Sequence, residues 1–309
     1  MEMRQVFASE LEKLMEQNQN VVLIDADLSK PNGVSNIKNK FPDRAFEVGI
    51  AEQNMACVAA GMSSYGFIPF ITTFTPFASR RICDQIAISA VYAKQNVKIV
   101  GTDPGISAEF NGGTHMSVED IGVLRSIPEI TIFEPVDNIQ LKKVLPQIVE
   151  YKGVVYIRMF RKTIPDVFND NDSFDLFKAH KIQDGNNVSI FCSGIMVQET
   201  MKANEILKRD GINADIINIH TIKPIDREAV INSAKKTGAV VTAENHNVIG
   251  GLKSAISEVL IEECPVPLRA VGINDVFGQV GKMDFLKNQY NMNAEDIVNA
   301  VKEVIKLKK

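Results

Sequence analysis

The chain has 309 residues, 45% hydrophobic and 23% charged, with 34 basic side chains against 38 acidic ones and a net charge of −4. Mean hydropathy is −0.02 and the isoelectric point is about 5.7. At about 150 residues per domain this length points to about two domains. The acidic balance and the lack of any long Lys or Arg run exclude a nucleic-acid or anionic-membrane surface as the main business. No apolar run approaches the ~20 residues of a membrane span. The first residues, Met1 to Glu10, mix charge with apolar side chains and lack the apolar core of a signal peptide. A cytoplasmic protein is expected.

Cys57, Cys83, Cys192 and Cys264 are widely spaced and form no C-x-x-C pair. They are expected to be buried reduced thiols rather than a disulfide or metal framework. His115, His180, His220 and His246 show no metal-ligand spacing, so no metal site is expected on this chain.

In chain order, Met3 to Gln17 reads as an amphipathic helix, and Val21 to Ile24 as a buried strand that runs out at Asp25 and Asp27. Ala51 to Tyr65 reads as a helix, Phe67 to Thr72 as a strand, and Pro76 to Ala93 as one long helix with Pro in its first turn. Val97 to Val100 is a strand feeding the loop Gly101 to His115. Ser117–Arg125 follows as a helix, Ile130–Phe133 as a strand, Asp137–Glu150 as a helix and Val154–Arg158 as a strand. Residues Thr163 to Asp184 are rich in Asp and Asn without a sustained period, and read as a linker. The rhythm resumes with strands at Val188–Cys192, Ala214–Ile219, Ala239–Ala243 and Leu268–Val271. Helices are expected at Ile195–Arg209, Asp226–Lys236, Gly250–Glu263 and Ala294–Lys306. The fold class is therefore α/β, with two tandem domains, each a mostly parallel sheet covered by helices. The expected division is 1–162, a linker at 163–185, and 186–309.

Ligands of open α/β sheets sit at the carboxyl ends of the strands, and the chemically interesting residues concentrate there. Glu52 opens a helix of small and apolar residues. Its carboxylate either complements the helix dipole or is a desolvated acid able to exchange a proton with a ring nitrogen. Phe74 and Phe77 are either core or a platform for a flat heteroaromatic ring. Gly112-Gly113-Thr114-His115 is a loop in which glycines admit a ligand close to the backbone, with His115 as donor or proton carrier. Arg158 and Arg161 end a strand, where Arg binds a phosphate or carboxylate, or makes a surface ion pair. Glu244 and His246 read as strand-end structure. The chain has no phosphate-binding G-x-x-x-x-G-K-[ST], no G-x-G-x-x-G after a strand and no G-x-S-x-G elbow.

Taken together, Phe46 to Met55 (FEVGIAEQNM), Ile71 to Phe77 (ITTFTPF), Gly112 to His115 and Ile157 to Arg161 (IRMFR) resemble the transketolase family of thiamine-diphosphate enzymes. Ile222 to Asp226 (IKPID), Glu244 to Gly251 (ENHNVIGG) and Asp275 to Gly278 (DVFG) continue the likeness in order across essentially the whole chain. The resemblance implies a pyrimidine-binding domain followed by a transketolase C-terminal domain. The family's metal-diphosphate signature, Gly-Asp-Gly with a later Asn, is absent here. The chain thus looks like the C-terminal subunit of a split transketolase. An N-terminal transketolase subunit would supply the diphosphate and Mg2+ site, in an α2β2 heterotetramer.

On that likeness, Glu52 would hydrogen-bond the cofactor's pyrimidine and drive formation of its reactive carbanion. Phe74, Phe77 and Ile50 would wall the ring, and Asp27 would lie near the cofactor. His115 would meet the donor's hydroxyls or carbonyl, and Arg161 the substrate's terminal phosphate. The reaction implied is transfer of a two-carbon glycolaldehyde unit from a ketose or ketose phosphate to an aldose or aldose phosphate, through a thiamine-diphosphate enamine. Four positions depart from transketolases at the substrate end, one of them Pro31, where an ungapped reading would put a phosphate-contacting Ser, with Ser29 two residues before. Asp103 stands where many carry His, Asn111 where they carry Asp, and Arg80 where they can carry Tyr. These departures imply an unusual sugar. Asp103 and Arg80 also resemble 1-deoxyxylulose-5-phosphate synthases. Half of such a synthase, the β subunit of a 2-oxoacid dehydrogenase, or a non-catalytic family remnant are the alternatives.

Overall fold

The computed structural model describes residues 1–308; position 309, the last of the expected second domain, lies outside them. The first half begins with α1 (Met3–Gln17), whose buried stripe of Met3, Val6, Phe7, Leu11 and Met15 recurs at helical spacing. It is followed by β1 (Val21–Asp25), α2 (Ser35–Lys40), β2 (Ala45–Glu47), α3 (Glu52–Ser64) and β3 (Ile68–Phe74). Next come α4 (Thr75–Ala78), β4 (Lys98–Thr102), α5 (Asp120–Arg125), β5 (Thr131–Phe133), α6 (Asn138–Glu150) and β6 (Val155–Met159). The second half carries β7 (His180–Gln183), β8 (Val188–Cys192), α7 (Met196–Arg209), β9 (Ala214–Asn218) and β10 (Thr221–Lys223). It closes with α8 (Arg227–Thr237), β11 (Val240–Asn247), α9 (Leu252–Glu263), β12 (Leu268–Ile273), α10 (Met283–Gln289) and α11 (Ala294–Ile305).

Two sheets result. The first has seven strands in the order β10-β5-β6-β4-β3-β1-β2, and the second five in the order β12-β11-β8-β9-β7. Every pairing is parallel except the edge strands β10 on β5 and β7 on β9. The central strands β1, β4, β6, β8 and β9 are buried at every position, as expected of parallel strands covered on both faces. The tandem α/β architecture expected from the sequence is the one observed.

The halves are more interwoven than a linker would suggest. β10, from the second half, completes the edge of the first sheet. Within 163–185, β7 joins the second sheet, and Ile164, Phe168 and Leu176 are buried. Both apolar cores draw on both sheets, one joining Phe70 and Val100 to Ile190 and Val241, the other Ile24 and Ile99 to Phe191 and Ile256.

Several local expectations need correction. The long helix expected over Pro76–Ala93 is broken. After α4, Ser79 leaves helical geometry at φ −124° and ψ −89°, its hydroxyl donating back to the Thr75 carbonyl at 2.7 Å. A 3₁₀ turn at Arg80–Ile82 and a π-helical segment at Gln85–Tyr92 complete the connection. The helix expected from Ser117 begins only at Asp120, because the preceding carbonyls are taken elsewhere: Gly105 donates to Ser117 and Asn247 to Val118. Of the four cysteines only Cys192 is buried, and Cys57 is exposed, because α3 turns one face outward.

Candidate active site at the strand ends

The strands β1, β2, β3, β4 and β6 end on one side of the first sheet, and the candidate residues follow from them. Glu52 is the first residue of α3 and is only 3% exposed. Its Oε1 accepts from Arg81 Nη1 at 2.7 Å. The Arg81 guanidinium lies 3.7 Å from the Phe77 ring centroid. Phe77 and Phe74 are tilted neighbours at 6.2 Å, and His115 meets both edge-on, at 5.1 and 6.2 Å. The Arg161 guanidinium sits over Phe74 at 5.2 Å, and its Nη2 lies 2.6 Å from Asp103 Oδ2. Glu52, Phe74, Phe77, Asp103, His115 and Arg161, scattered along the first half of the chain, thus form one continuous cluster.

The loops that hold these groups are tightly built. His115 Nδ1 pairs with the Thr114 hydroxyl at 2.9 Å. A methyl group on Gly113 would stand 2.6 Å from the Gly278 carbonyl oxygen, and one on Gly278 would stand 2.2 Å from Met116 Sδ. The second half of the chain therefore presses its 275–281 loop directly onto the His115 loop, and only glycine permits that approach.

Asp103 is 1% exposed, has a positive φ of 54°, and donates its N–H to the Met159 carbonyl. Neither carboxylate oxygen has a hydrogen-bond donor in good geometry, and Arg161 Nε and Asn32 Nδ2 are likewise unsatisfied. Burial pushes the Asp103 carboxyl up to about 6, while Arg161 and Lys162 pull it down. Arg80 is exposed, pairs with Glu119 at 2.6 Å and reaches the Thr114 carbonyl at 3.4 Å. Asn111 is exposed at the end of a 3₁₀ turn beside Gly112. Asp27 is exposed at φ 60° and its N–H donates to Glu47 Oε1 at 2.8 Å. Ile50 is 77% exposed. These last three lie on adjoining loops rather than inside the cluster.

Sequence reasoning missed Arg81, which has no periodicity or motif of its own, and Asp25. Burial pushes Asp25 up to about 6, against the Thr72 hydroxyl at 2.6 Å and the Leu28 N–H at 2.7 Å. It also misjudged Arg158, which is neither at the surface nor free for a ligand. Arg158 is fully buried, with Nε on Asp120 at 2.7 Å, Nη1 on Glu134, and Nη2 on the Asn245 carbonyl at 2.7 Å. Tyr156 donates to the same Asp120 at 2.9 Å. Glu244 and His246 adjoin this network. Glu244 accepts the N–H groups of Leu252 and Lys253, and burial pushes it up to about 8. His246 Nε2 lies 3.9 Å from Asp120.

Among the described residues no three or more His, Cys, Asp or Glu side chains gather to hold a metal ion, and no helix is long and apolar enough to cross a membrane. A cleft of about 1010 Å³, lined by Asn20, Gly66, Gln95, Glu129 and Gly153, opens at the amino ends of the strands. That is the opposite end of the sheet from the cluster.

The transketolase pyrimidine-binding domain model matches residues 1–166, and the transketolase C-terminal domain model matches residues 177–297. The chain belongs to the transketolase family. It is 49% identical over 306 residues to the 6-deoxy-6-sulfo-D-fructose transketolase subunit SqwH of Clostridium sp. (strain MSTE9), covering 99% of this chain and 95% of that one. It is 33% identical to a subunit of the apulose-4-phosphate transketolase of Phocaeicola vulgatus, covering 98% of this chain and 97% of that one. A solved structure described as a split gene transketolase, inactive beta4 tetramer, superposes with a TM-score of 0.93 at 40% identity over the full length of both chains.

Proposed function

We propose that this chain is the C-terminal subunit of a two-component transketolase that moves a two-carbon glycolaldehyde unit from a ketose to an aldose. The observation that carries this reading is the Glu52–Arg81–Phe77 arrangement. A planar, delocalised cation lies on an aromatic face and donates to a buried carboxylate. A protonated aminopyrimidine has the same shape, charge and donor, so these residues fit the pyrimidine of thiamine diphosphate. Arg81 is half-exposed and free to yield the place, whereas Glu52 and Phe74 are fixed by the fold. When bound, thiamine diphosphate supplies a carbon nucleophile and an electron sink.

Glu52 would pass a proton between its Oε1 and a ring nitrogen of the bound pyrimidine, in a place from which bulk water is excluded. Phe74 and Phe77 would fix the ring's plane and exclude water, with Ile50 and Asp27 on the adjoining loops. His115, oriented by Thr114 and by both phenyl rings, donates to the oxygen of the donor carbonyl or its hydroxyls. Arg161 faces the anionic end of the sugar, with Asp103, Asn111 and Arg80 around it.

The chain offers no diphosphate or Mg2+ site of its own family type. A partner N-terminal subunit therefore supplies both, in an α2β2 assembly. The similarity to a chain whose structure is described as an inactive beta4 tetramer supports that requirement. The substrate we propose is a sulfonated ketose of the 6-deoxy-6-sulfofructose type, on the strength of the 49% identity above. Removal of two carbons from such a six-carbon ketose leaves a four-carbon aldose that keeps the sulfonate.

The test is a two-carbon transfer assay with and without the partner subunit, in Mg2+ and thiamine diphosphate. The donors compared are 6-deoxy-6-sulfofructose, xylulose 5-phosphate and pyruvate. Transfer from a ketose only with both chains supports the reading. Carbon dioxide release from pyruvate would move it to the decarboxylating relatives, which Asp103 and Arg80 also resemble.

A further inference from the structure

We infer that Asp103 sets the charge of the terminal anion that the site accepts, so that a singly charged sulfonate is preferred over a doubly charged phosphate monoester. The inference rests on the proposed ketose reading and concerns the same site.

The rim around Arg161 is electrically matched. Arg161 pairs with Asp103, Lys162 with Glu109, Arg80 with Glu119, and Arg4 with Glu2 at 2.7 Å. Arg4 and Arg161 meet at one point, both donating to the Pro31 carbonyl, at 2.8 and 3.4 Å. Glu109 is further occupied by the Met283 N–H at 3.1 Å. Each of these cations already has its carboxylate.

Of these pairs the Asp103–Arg161 one is set apart by burial and by geometry. Asp103 is 1% exposed, its oxygens lack a donor in good geometry, and Arg161 keeps Nε unpartnered. Its Nη1 and Nη2 are already engaged with the Pro31 carbonyl and Asp103, so an incoming anion meets a guanidinium whose charge is partly balanced. The groups that face Asp103 are Arg161, Lys162 and Glu109. The two cations hold its carboxyl ionised at neutral pH against burial, which pushes it up to about 6.

A sulfonate brings one negative charge and three acceptor oxygens. A phosphate monoester brings about −1.5 to −2 at pH 7. Beside a buried carboxylate at low effective dielectric, that additional charge is penalised, whereas the first is balanced by Arg161. His at position 103, as in many transketolases, would add a donor where this chain adds a negative charge. Asp103 is thus a specificity-determining residue for the substrate's far end.

The experiment uses the enzyme assembled with its partner subunit, cofactor and Mg2+, and two donors that differ only at carbon 6. These are 6-deoxy-6-sulfofructose and fructose 6-phosphate, with one common acceptor aldehyde. The wild type is expected to favour the sulfonate in kcat/KM. Asp103→Asn should shift the sulfonate-to-phosphate ratio about tenfold toward phosphate, and Asp103→Glu should restore it. An equal fall for both donors would make Asp103 a general structural or hydroxyl-binding group and overturn the inference, as would an unchanged ratio.

Should Asp103→Asn fail to assemble, the wild type still decides. Butanesulfonate should compete with the donor more strongly than butyl phosphate, and the reverse order contradicts the inference. Absence of two-carbon transfer from either donor in the wild-type assembly would remove the ketose reading first, and this inference with it.

Discussion

Two charge clusters flank the end of β6, and they are built in opposite ways. Arg158 lies within the strand, fully buried, and spends each of its three nitrogens on a partner: Asp120, Glu134 and the Asn245 carbonyl. Arg161, three residues on, keeps a free nitrogen and faces a carboxylate whose oxygens lack well-aligned hydrogen-bond donors. The first cluster ties β6, α5 and the second half of the chain into one body. The second stands at the mouth of the sheet with unfilled valences, beside Phe74 and His115. The arginines set the two apart: Arg158 has a partner on each nitrogen, although Glu134 Oε2 in its cluster lacks one, while Arg161 keeps Nε unpartnered at a strand end.

That contrast can be broken by substitution. Glu52→Gln should lower two-carbon transfer by about 10²–10⁴-fold, the span of a lost general acid–base group. Thermal unfolding and binding of the partner subunit should stay near wild type. Arg158→Met should do the reverse, with the loss in stability. It leaves Asp120 and Glu134 buried without their counter-ion, which costs about 3–5 kcal/mol, readable as a lowered urea midpoint. A stable Arg158→Met protein with lost catalysis would erase the distinction between the two clusters.

A third prediction concerns pH. His220 is buried, its Nε2 is 2.9 Å from the Asp175 carbonyl, and burial pushes it down to about 4. The unfolded chain takes up a proton as pH falls below 6.5, whereas the folded chain resists until about 4. Its contribution is therefore intact above pH 6.5 and is lost across that window, at roughly 1.4 kcal/mol for each pH unit. His220→Asn should flatten this part of the urea-stability profile without changing catalysis at about pH 7.5, well above the titration. The smallest effect is chemical labelling. Exposed Cys57 should alkylate first in the isolated chain, and Cys192, buried and pushed up to about 12, only after unfolding, as read by mass spectrometry.

The sequence made the central strands and long helices legible because their apolar periods are strong, as in β1, β4, α6 and α11. The elements it hid are short or non-local. β2 is three residues with one buried position, β7 is an edge strand of mixed polarity, and α10 buries only Leu286. β10 is invisible locally because its partner is β5, far back in the other half of the chain. At the site, Glu52, Phe74, Phe77, His115, Arg161 and Asp103 were readable through resemblance, each being ambiguous alone. Arg81 was not, since nothing in its neighbourhood tells that it folds back onto Glu52. Arg158 misled because an Arg near a strand end looks exposed until Asp120 and Glu134, 38 and 24 residues away, are seen to enclose it.

The central claim is that the buried Glu52 carboxyl moves a proton on the cofactor's ring. The most direct test is the rate at which the thiazolium C2 proton of bound thiamine diphosphate exchanges with deuterium, by quenched-flow and proton NMR, in the assembled enzyme without sugar. Fast exchange is expected in the wild type, and a loss of at least about 100-fold in Glu52→Gln, with the cofactor still bound. Equal exchange rates in the two proteins would contradict the claim.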